Sequence, residues 1–273
     1  MTRRHEQINH RRKLSEIRNI MNSMKTLAIM ETHKLEHYIE TQASIITSIE
    51  NIAADFLHFN SQVLPEVEPT LNIVLLIGSE RGFCGDFNEK LVKKLEQSFS
   101  KLTITDTVIS VGNKLHPLLN NINNNIYIEG ASVVEDISSV VYSLSEIFTT
   151  HQKPSSLYVM HHASNGDKLN IDRLIPPFKE LNYEKTSYLN PPLLNLTARD
   201  FFLELTEHYL FNLLHGILYS SLMAENHRRV QHLENATHHL DNKTDELKHK
   251  INALRQEEII EEIEVILLNT QNI

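Results

Sequence analysis

The sequence predicts an α/β domain of mostly parallel sheet, set between two long terminal helices that pair as an antiparallel coiled coil. Three observations predict this. All eight prolines lie between Pro65 and Pro192. Six of the seven glycines lie in the same interval, so turns are confined to the middle of the chain. Outside that interval, apolar residues recur at steps of three and four, the spacing of a helix face that meets another helix. The expected segments are 1–64, an N-terminal coiled-coil helix; 65–192, the α/β domain; and 193–273, a C-terminal coiled-coil helix.

The C-terminal stretch from Ala198 to Ile273 has no proline, and Gly216 is its only glycine. A continuous helix there would reach on the order of 110 Å at about 1.5 Å per residue. Its predicted seam is Val230, Leu233, Thr237, Leu240, Thr244, Leu247, Ile251 and Leu254. Beyond Leu254 the phase slips to Ile259, Ile263 and Ile266, which predicts a loosened supercoil near the end. The span His208–Ala224 is apolar but is interrupted by Asn212, His215 and serines, with Glu204 and Glu207 beside it. That predicts a helix buried under protein rather than a membrane span.

The first arm runs from Ile8 to Phe59. Leu14, Ile17, Met21, Met24, Ala28, Glu31, Leu35, Tyr38, Gln42, Ile45, Ile49, Ile52, Phe56 and Phe59 follow one register, broken only by Glu31 and Gln42. Two such arms can pair with each other or form two intermolecular coiled coils. The first arrangement covers both seams without another chain.

The middle alternates between strand and helix. Leu71–Gly78, Thr105–Gly112, Asn125–Glu129 and Ser156–His161 read as strands, and Leu169–Leu174 as a fifth after an Asn165-Gly166 turn. Asn88–Phe99, Lys114–Leu119 and Ser138–Thr150 read as helices. Such alternation predicts a mostly parallel sheet with helices on its faces.

The net charge of −9 argues against general nucleic-acid binding. The single cysteine, Cys84, excludes an internal disulfide and suits a reducing compartment. Met1–Lys13 is charged and has no apolar signal-peptide core. Charge is also sorted between the arms. Met1–Lys34 carries eight Lys or Arg against three acids, whereas Glu257–Glu264 carries five glutamates. Either these are solvated faces, or the basic arm meets acidic partner surfaces.

The turn after the first strand reads Gly78-Ser79-Glu80-Arg81-Gly82-Phe83-Cys84-Gly85-Asp86-Phe87-Asn88. It stands where α/β folds receive phosphate, yet it lacks both G-x-x-x-x-G-K-[ST] and G-x-G-x-x-G, and Asp86 would repel an anion. It reads as a structural turn whose glycines Gly82 and Gly85 permit close packing, with Cys84 as a small buried thiol. Of the sixteen histidines, His33 and His37 could share a helix face, but no third ligand follows. The adjacent pairs His161-His162 and His238-His239 read as surface residues. No metal, cofactor or catalytic constellation emerges.

Three blocks resemble one family. Lys13–Leu35 (KLSEIRNIMNSMKTLAIMETHKL) is similar to the N-terminal shaft helix of the gamma subunit of F-type ATP synthases, with Lys25 and Lys34 at family-like positions. Arg81–Asn88 resembles that family's R-G-L-C-G-G-[FL]-N turn, with Gly82, Cys84, Gly85 and Asn88 matching it. Asn235-Ala236-Thr237 and Asn252-Ala253-Leu254-Arg255-Gln256, followed by Glu262, resemble its C-terminal blocks. Asp86 in place of the second turn glycine, Leu27 in place of methionine and Leu254 in place of alanine mark a divergent member. Asp86 must also avoid a glycine-only backbone.

The resemblance implies a non-catalytic rotor: a central stalk inside a hexamer of alpha and beta subunits. Its α/β domain would sit near the epsilon subunit and the membrane ring of c subunits, coupling ion flow to rotary catalysis. It would lie at the cytoplasmic face of the inner or plasma membrane, held there through the complex. The choice of proton or sodium belongs to the ring. By the same resemblance, Arg255 and Gln256 would bond a beta-subunit loop and Lys25 would approach acidic residues of a beta lever. The rival readings are a non-rotary coiled-coil adaptor carrying an α/β binding module, and an enzyme built on the Gly82–Gly85 turn.

Overall fold

The computed structural model describes residues 3–64, 71–99, 106–120, 122, 124–150, 155–166, 168–179, 181 and 190–270. Two helices dominate it, α1 (Arg3–Phe59) and α4 (Ala198–Thr270). Between them lie β1 (Leu71–Ile77), α2 (Phe87–Ser98), β2 (Thr107–Val111), β3 (Asn125–Ile128), α3 (Ile137–Thr150), β4 (Ser155–His162) and β5 (Leu169–Ile175). A short 3-10 turn at His116–Leu119 occupies the place of the predicted helix at Lys114–Leu119. The predicted strand beginning at Thr105 starts at Thr107; Thr105 itself lies outside the described residues. The chain divides into two units: residues 29–229, and residues 1–28 together with 230–273.

The larger unit is built on one five-stranded sheet of order β3-β2-β1-β4-β5. β1 pairs parallel with β2 and β4, β2 pairs parallel with β3, and β5 returns antiparallel to β4. Strand alternation sends Ile73, Leu75 and Ile77 to one face of β1 and Val74 and Leu76 to the other. On the second face, Phe87, Leu91 and Leu95 of α2 pack over Val74, Leu76, Val108 and Met160. On the first, Val140, Val141 and Leu144 of α3 pack together with Leu35 of α1 and Leu214, Leu218 and Leu222 of α4. The span His208–Ala224 is therefore a buried helix, as its interrupted hydrophobicity predicts. Among the described residues, no helix is long and apolar enough to cross a membrane.

Within this unit α1 and α4 run antiparallel. Tyr209 donates to Glu50 at 3.1 Å, and the Gln42 amide donates to both the carbonyl and the side-chain oxygen of Asn212 at 2.9 Å. Gln42 thus belongs to the seam despite its polarity. Gly216 marks the close approach here: a Cβ at this position would come within 3.2 Å of Ile46 Cδ1. The seam also departs from the predicted register. Ile39, Ile46 and Ala53 turn inward, while Tyr38, Ile45 and Ile52 are exposed. A strict three-four repeat drifts around a straight helix by about 20° per heptad, and a neighbouring apolar residue then takes the seam.

In the smaller unit the two helices also run antiparallel. Ala28, Leu233 and Thr237 are buried, and Leu14, Met21, Met24, Leu240, Thr244, Leu247, Ile251 and Leu254 are half-buried. Both threonines return their hydroxyls to their own helix, Thr237 to the carbonyl of Glu234 and Thr244 to that of Leu240. Arg18 replaces the predicted Ile17 in the seam, and Ile17 faces out. At the far end the stripe Ile259, Ile263 and Ile266 is exposed, at 45–63%. The seam instead continues from Leu254 to Glu258, which Arg4 meets at 2.5 Å.

Candidate functional site

The turn from β1 into α2 is held by side chains at its two ends. Asn88 accepts from the Ser79 amide at 2.9 Å and donates to Ser79 Oγ at 2.8 Å, both groups being buried. Between them, Gly85 (φ 63°) and Phe83 (φ 66°) take left-handed backbone. For phenylalanine this is a strained choice that the surrounding contacts must hold. Asp86 has φ −88°, outside the glycine-only region, and pairs with Lys90 at 2.8 Å, which holds its carboxyl below the usual range. Close packing at Gly82 is not observed, because a Cβ there would meet nothing within 4 Å. The tight glycine is Gly78, where a Cβ would lie 2.5 Å from Leu115 Cβ.

α4 grips this turn through a buried ion pair. Glu225 and Arg229, one turn apart on the helix, are 3% and 4% exposed. Arg229 also donates to the Gly82 carbonyl at 3.2 Å and to Asn226 at 2.6 Å, and its guanidinium lies 3.4 Å from Cys84 Sγ. The two Glu225 oxygens face the amides of Glu80 and Arg81 at 3.4 Å. Burial raises the Glu225 carboxyl above its ordinary value and the Arg229 charge opposes that shift. The Cys84 thiol is pushed up to about 12, first by burial and then by the Glu225 charge. Glu225 thus occupies the amides at the end of β1 where an α/β fold would receive phosphate.

The next-door arginine holds a second turn. Arg228 donates from Nε and Nη2 to the Gly166 carbonyl at 3.0 and 2.9 Å. Gly166 has φ +75° and lies in the β4–β5 turn. Two consecutive arginines on α4 therefore clamp two separate turns of the sheet domain.

Histidine placement corrects the surface expectation for one pair. His161 and His162 are both buried. His161 Nε2 lies 2.8 Å from Asp172 Oδ2. His162 stacks on Phe87 with ring centroids 3.8 Å apart, and its Nε2 lies 2.9 Å from the Phe87 carbonyl, the geometry of a donated bond. Burial pushes the His162 imidazole down to about 4. Adjacent histidines do point to opposite faces of β4, but β4 lies between β1 and β5 and both faces are covered. His33, His37, His238 and His239 are exposed. Among the described residues, no cluster of three potential ligands could hold a metal.

The residues predicted to meet partners are not members of this clamp. Arg255 and Gln256 are exposed on α4. Lys25 lies 3.7 Å from Glu234 across the smaller unit, where Arg18 also forms a two-pronged pair with Asp241. Lys34 bonds Glu31 at 3.0 Å and reaches Glu135 at 3.4 Å. Neither Glu225, Arg228, Arg229 nor the Arg18–Asp241 pair was singled out in the sequence. The available signal was an i, i+4 Glu–Arg pair directly following the apolar span of α4.

The ATP synthase family model matches residues 5–268, which takes in both long helices and the domain between them. The chain belongs to the ATP synthase gamma-chain family. Among curated relatives, the gamma chain of Sulfurovum sp. (strain NBC37-1) is 23% identical over 284 residues, covering 94% of this chain and 95% of that one. The gamma chain of Clostridium perfringens (strain 13 / Type A) is 22% identical over 271 residues, covering 94% of each. The fold resembles the rotor of the Euglena gracilis mitochondrial ATP synthase, with TM-score 0.59 at 15% identity, covering 94% of this chain and 98% of that one. It also resembles the central stalk/c-ring structure of the Tetrahymena thermophila mitochondrial enzyme, with TM-score 0.55 at 16% identity, over 80% and 99% of the two chains. The low identities agree with a divergent gamma chain.

Proposed function

We infer that this gamma chain is the central-stalk rotor of an F-type ATP synthase, transmitting torque between a membrane ring of c subunits and a hexamer of alpha and beta subunits. The observation that carries the reading is the family match across both helices and the inserted domain. The chain itself is read as non-catalytic. In support, the amides at the end of β1 already face Glu225, and the turn offers no lysine for a phosphate. Catalysis is assigned to the beta subunits. The epsilon subunit and c ring are the proposed neighbours of the α/β domain, and the cytoplasmic face of the membrane is the proposed location.

A rotor must present different surfaces to identical partners, because a ligand shifts an equilibrium only by its differential affinity for the two states. The smaller unit is electrically two-sided. Arg3–Ala28 holds seven Lys or Arg and two acids, whereas Val230–Thr270 holds nine acids and four Lys or Arg. A beta subunit facing the α1 side meets positive potential, and one facing the α4 side meets negative potential. Turning the stalk moves that bias around the ring. Lys25, Arg255 and Gln256 are the proposed contacts to beta, and Lys25 would exchange Glu234 for a partner carboxylate. The clamp of Arg228 and Arg229 would transmit torque from the sheet domain into α4.

Affinity purification of the tagged chain from its own cell membranes tests the reading. A rotor brings down alpha and beta subunits at one gamma per three alpha–beta pairs, with rotation visible on the immobilised complex. Recovery without the hexamer would overturn it in favour of the adaptor.

A further inference from the structure

β3 is an edge strand whose outer side carries no strand among the described residues. Its ladder fixes which backbone groups are free. The Val108 amide donates to the Asn124 carbonyl, and the Gly112 amide donates to the Ile128 carbonyl. Backbone groups alternate sides along a parallel strand, so Asn124, Ile126 and Ile128 serve β2, whereas Asn125, Tyr127 and Glu129 point away from it. Folded proteins blunt such edges with lysine, proline or a bulge. Asn125–Ile128 has no lysine or proline, and its pairing with β2 shows no register shift. At the start of the strand, Asn125 Oδ1 is buried without a hydrogen-bond partner.

A cleft of about 720 Å³ opens along this edge, between β3 and α3. Glu80, Glu129, Asp136 and Glu146 line it with Ser139 and Ser143, and among the described residues no lysine or arginine lines it. Glu80 and Asp136 are partly satisfied by backbone. Glu80 accepts from the Asn113 and Gly130 amides at 2.9 and 2.8 Å, and Asp136 accepts from the Ser132 amide at 3.0 Å. Glu129 and Glu146 are exposed and have no ion-pair partner among the described residues. The Tyr127 phenol is held above its usual range, by burial first and then by the charges of Glu80 and Glu129, so the negative potential reaches the strand itself.

We propose that the β3 edge is a docking site for an extended segment of a partner protein bearing Lys or Arg at alternate positions, which adds a strand to the sheet. The free amides and carbonyls of Asn125, Tyr127 and Glu129 supply the main-chain bonds, and the carboxylates select the cationic side chains. A second copy of this chain is disfavoured, because two β3 edges would bring the same carboxylates together. The site lies outside the clamp and the proposed beta contacts, and it stands whether or not the rotor reading holds.

The test titrates a capped nine-residue peptide of alternating lysine and valine against the full-length chain at low salt. The expected result is saturable binding, with slowed hydrogen exchange at the amides of Asn125, Tyr127 and Glu129. The charge-reversing double variant E129K/E146K should bind at least about tenfold more weakly. Because both residues are exposed, the fold should survive. The neutral pair E129Q/E146Q, with an intermediate loss, serves as a second variant if the first does not fold. A peptide of alternating glutamate and valine should not bind. Absence of binding, binding indifferent to both double variants, or binding without protection at the three amides would overturn the proposal. Self-association of the chain through β3 in sedimentation would also overturn it and give the edge to a second copy.

Discussion

Glu225 and Arg229 form a buried ion pair, and each member also reaches the backbone of the turn between β1 and α2. The pair satisfies itself and in doing so ties α4 to the sheet. Removing one member leaves a charge stranded away from water. We therefore expect Arg229→Ala to destabilise the chain by about 3–5 kcal/mol, and Glu225→Leu with Arg229→Met to recover much of that loss. Denaturant unfolding of the three proteins checks this. A double variant as unstable as the single one would mean that the pair's contacts to the turn matter more than its own compensation.

His162 makes stability depend on pH in a definite direction. Its imidazole titrates at about 4 in the fold and near 6.5 when exposed, so folding favours the neutral form. The contribution is fully present above pH 6.5 and is lost as pH falls through about 4, amounting to about 3 kcal/mol. Unfolding midpoints across that window should fall less steeply for His162→Gln than for the parent chain. Parallel curves would remove His162 from the account.

The Arg18–Asp241 pair bridges a seam with few fully buried apolar side chains. Both side chains are partly exposed, so the pair's contribution should be small at low salt and smaller still at high salt. Arg18→Asp or Asp241→Arg alone should lower the melting temperature of the helical signal, and the exchanged pair should restore it. Failure of the exchange to restore it would assign the effect to packing of the arginine stem.

Arg255→Ala with Gln256→Ala should slow ATP hydrolysis by the assembled complex about tenfold and leave assembly intact. Alanine preserves the helix, and a hydrogen bond to a charged group contributes roughly 1.5–3 kcal/mol. Contacts equal at every rotor angle would cancel, so only angle-dependent ones slow a step. Steady-state rates normalised to gamma content decide it. Equal rates would return both residues to the solvent.

What the sequence disclosed follows from where periodicity is unambiguous. β1 carries the continuous apolar run Ile73–Ile77 and was legible, as were the two proline-free helices. The seam of α1 was legible only to within one residue, because Tyr38-Ile39, Ile45-Ile46 and Ile52-Ala53 offer two apolar neighbours at each step. Ile17 gave way to Arg18 for another reason: a long aliphatic stem can lie in a seam while its charge reaches Asp241. Arg228 and Arg229 were not legible, because the Gly166 and Gly82 carbonyls they hold come from turns far away in sequence. His161 and His162 were misplaced because what buries them comes from other elements: Phe87 of α2 stacks on His162, and Asp172 of β5 meets His161.

The buried thiol has a practical consequence for watching this molecule turn. Cys84 is the only cysteine in the chain and titrates at about 12, so at pH 7 roughly one molecule in 10⁵ carries the reactive thiolate. A cysteine introduced at an exposed position such as Leu193 would take a fluorophore or bead linker alone, with the native thiol left in place. Single-site labelling then requires no cysteine-free background, and the contact between Cys84 and Arg229 is preserved while rotation is recorded.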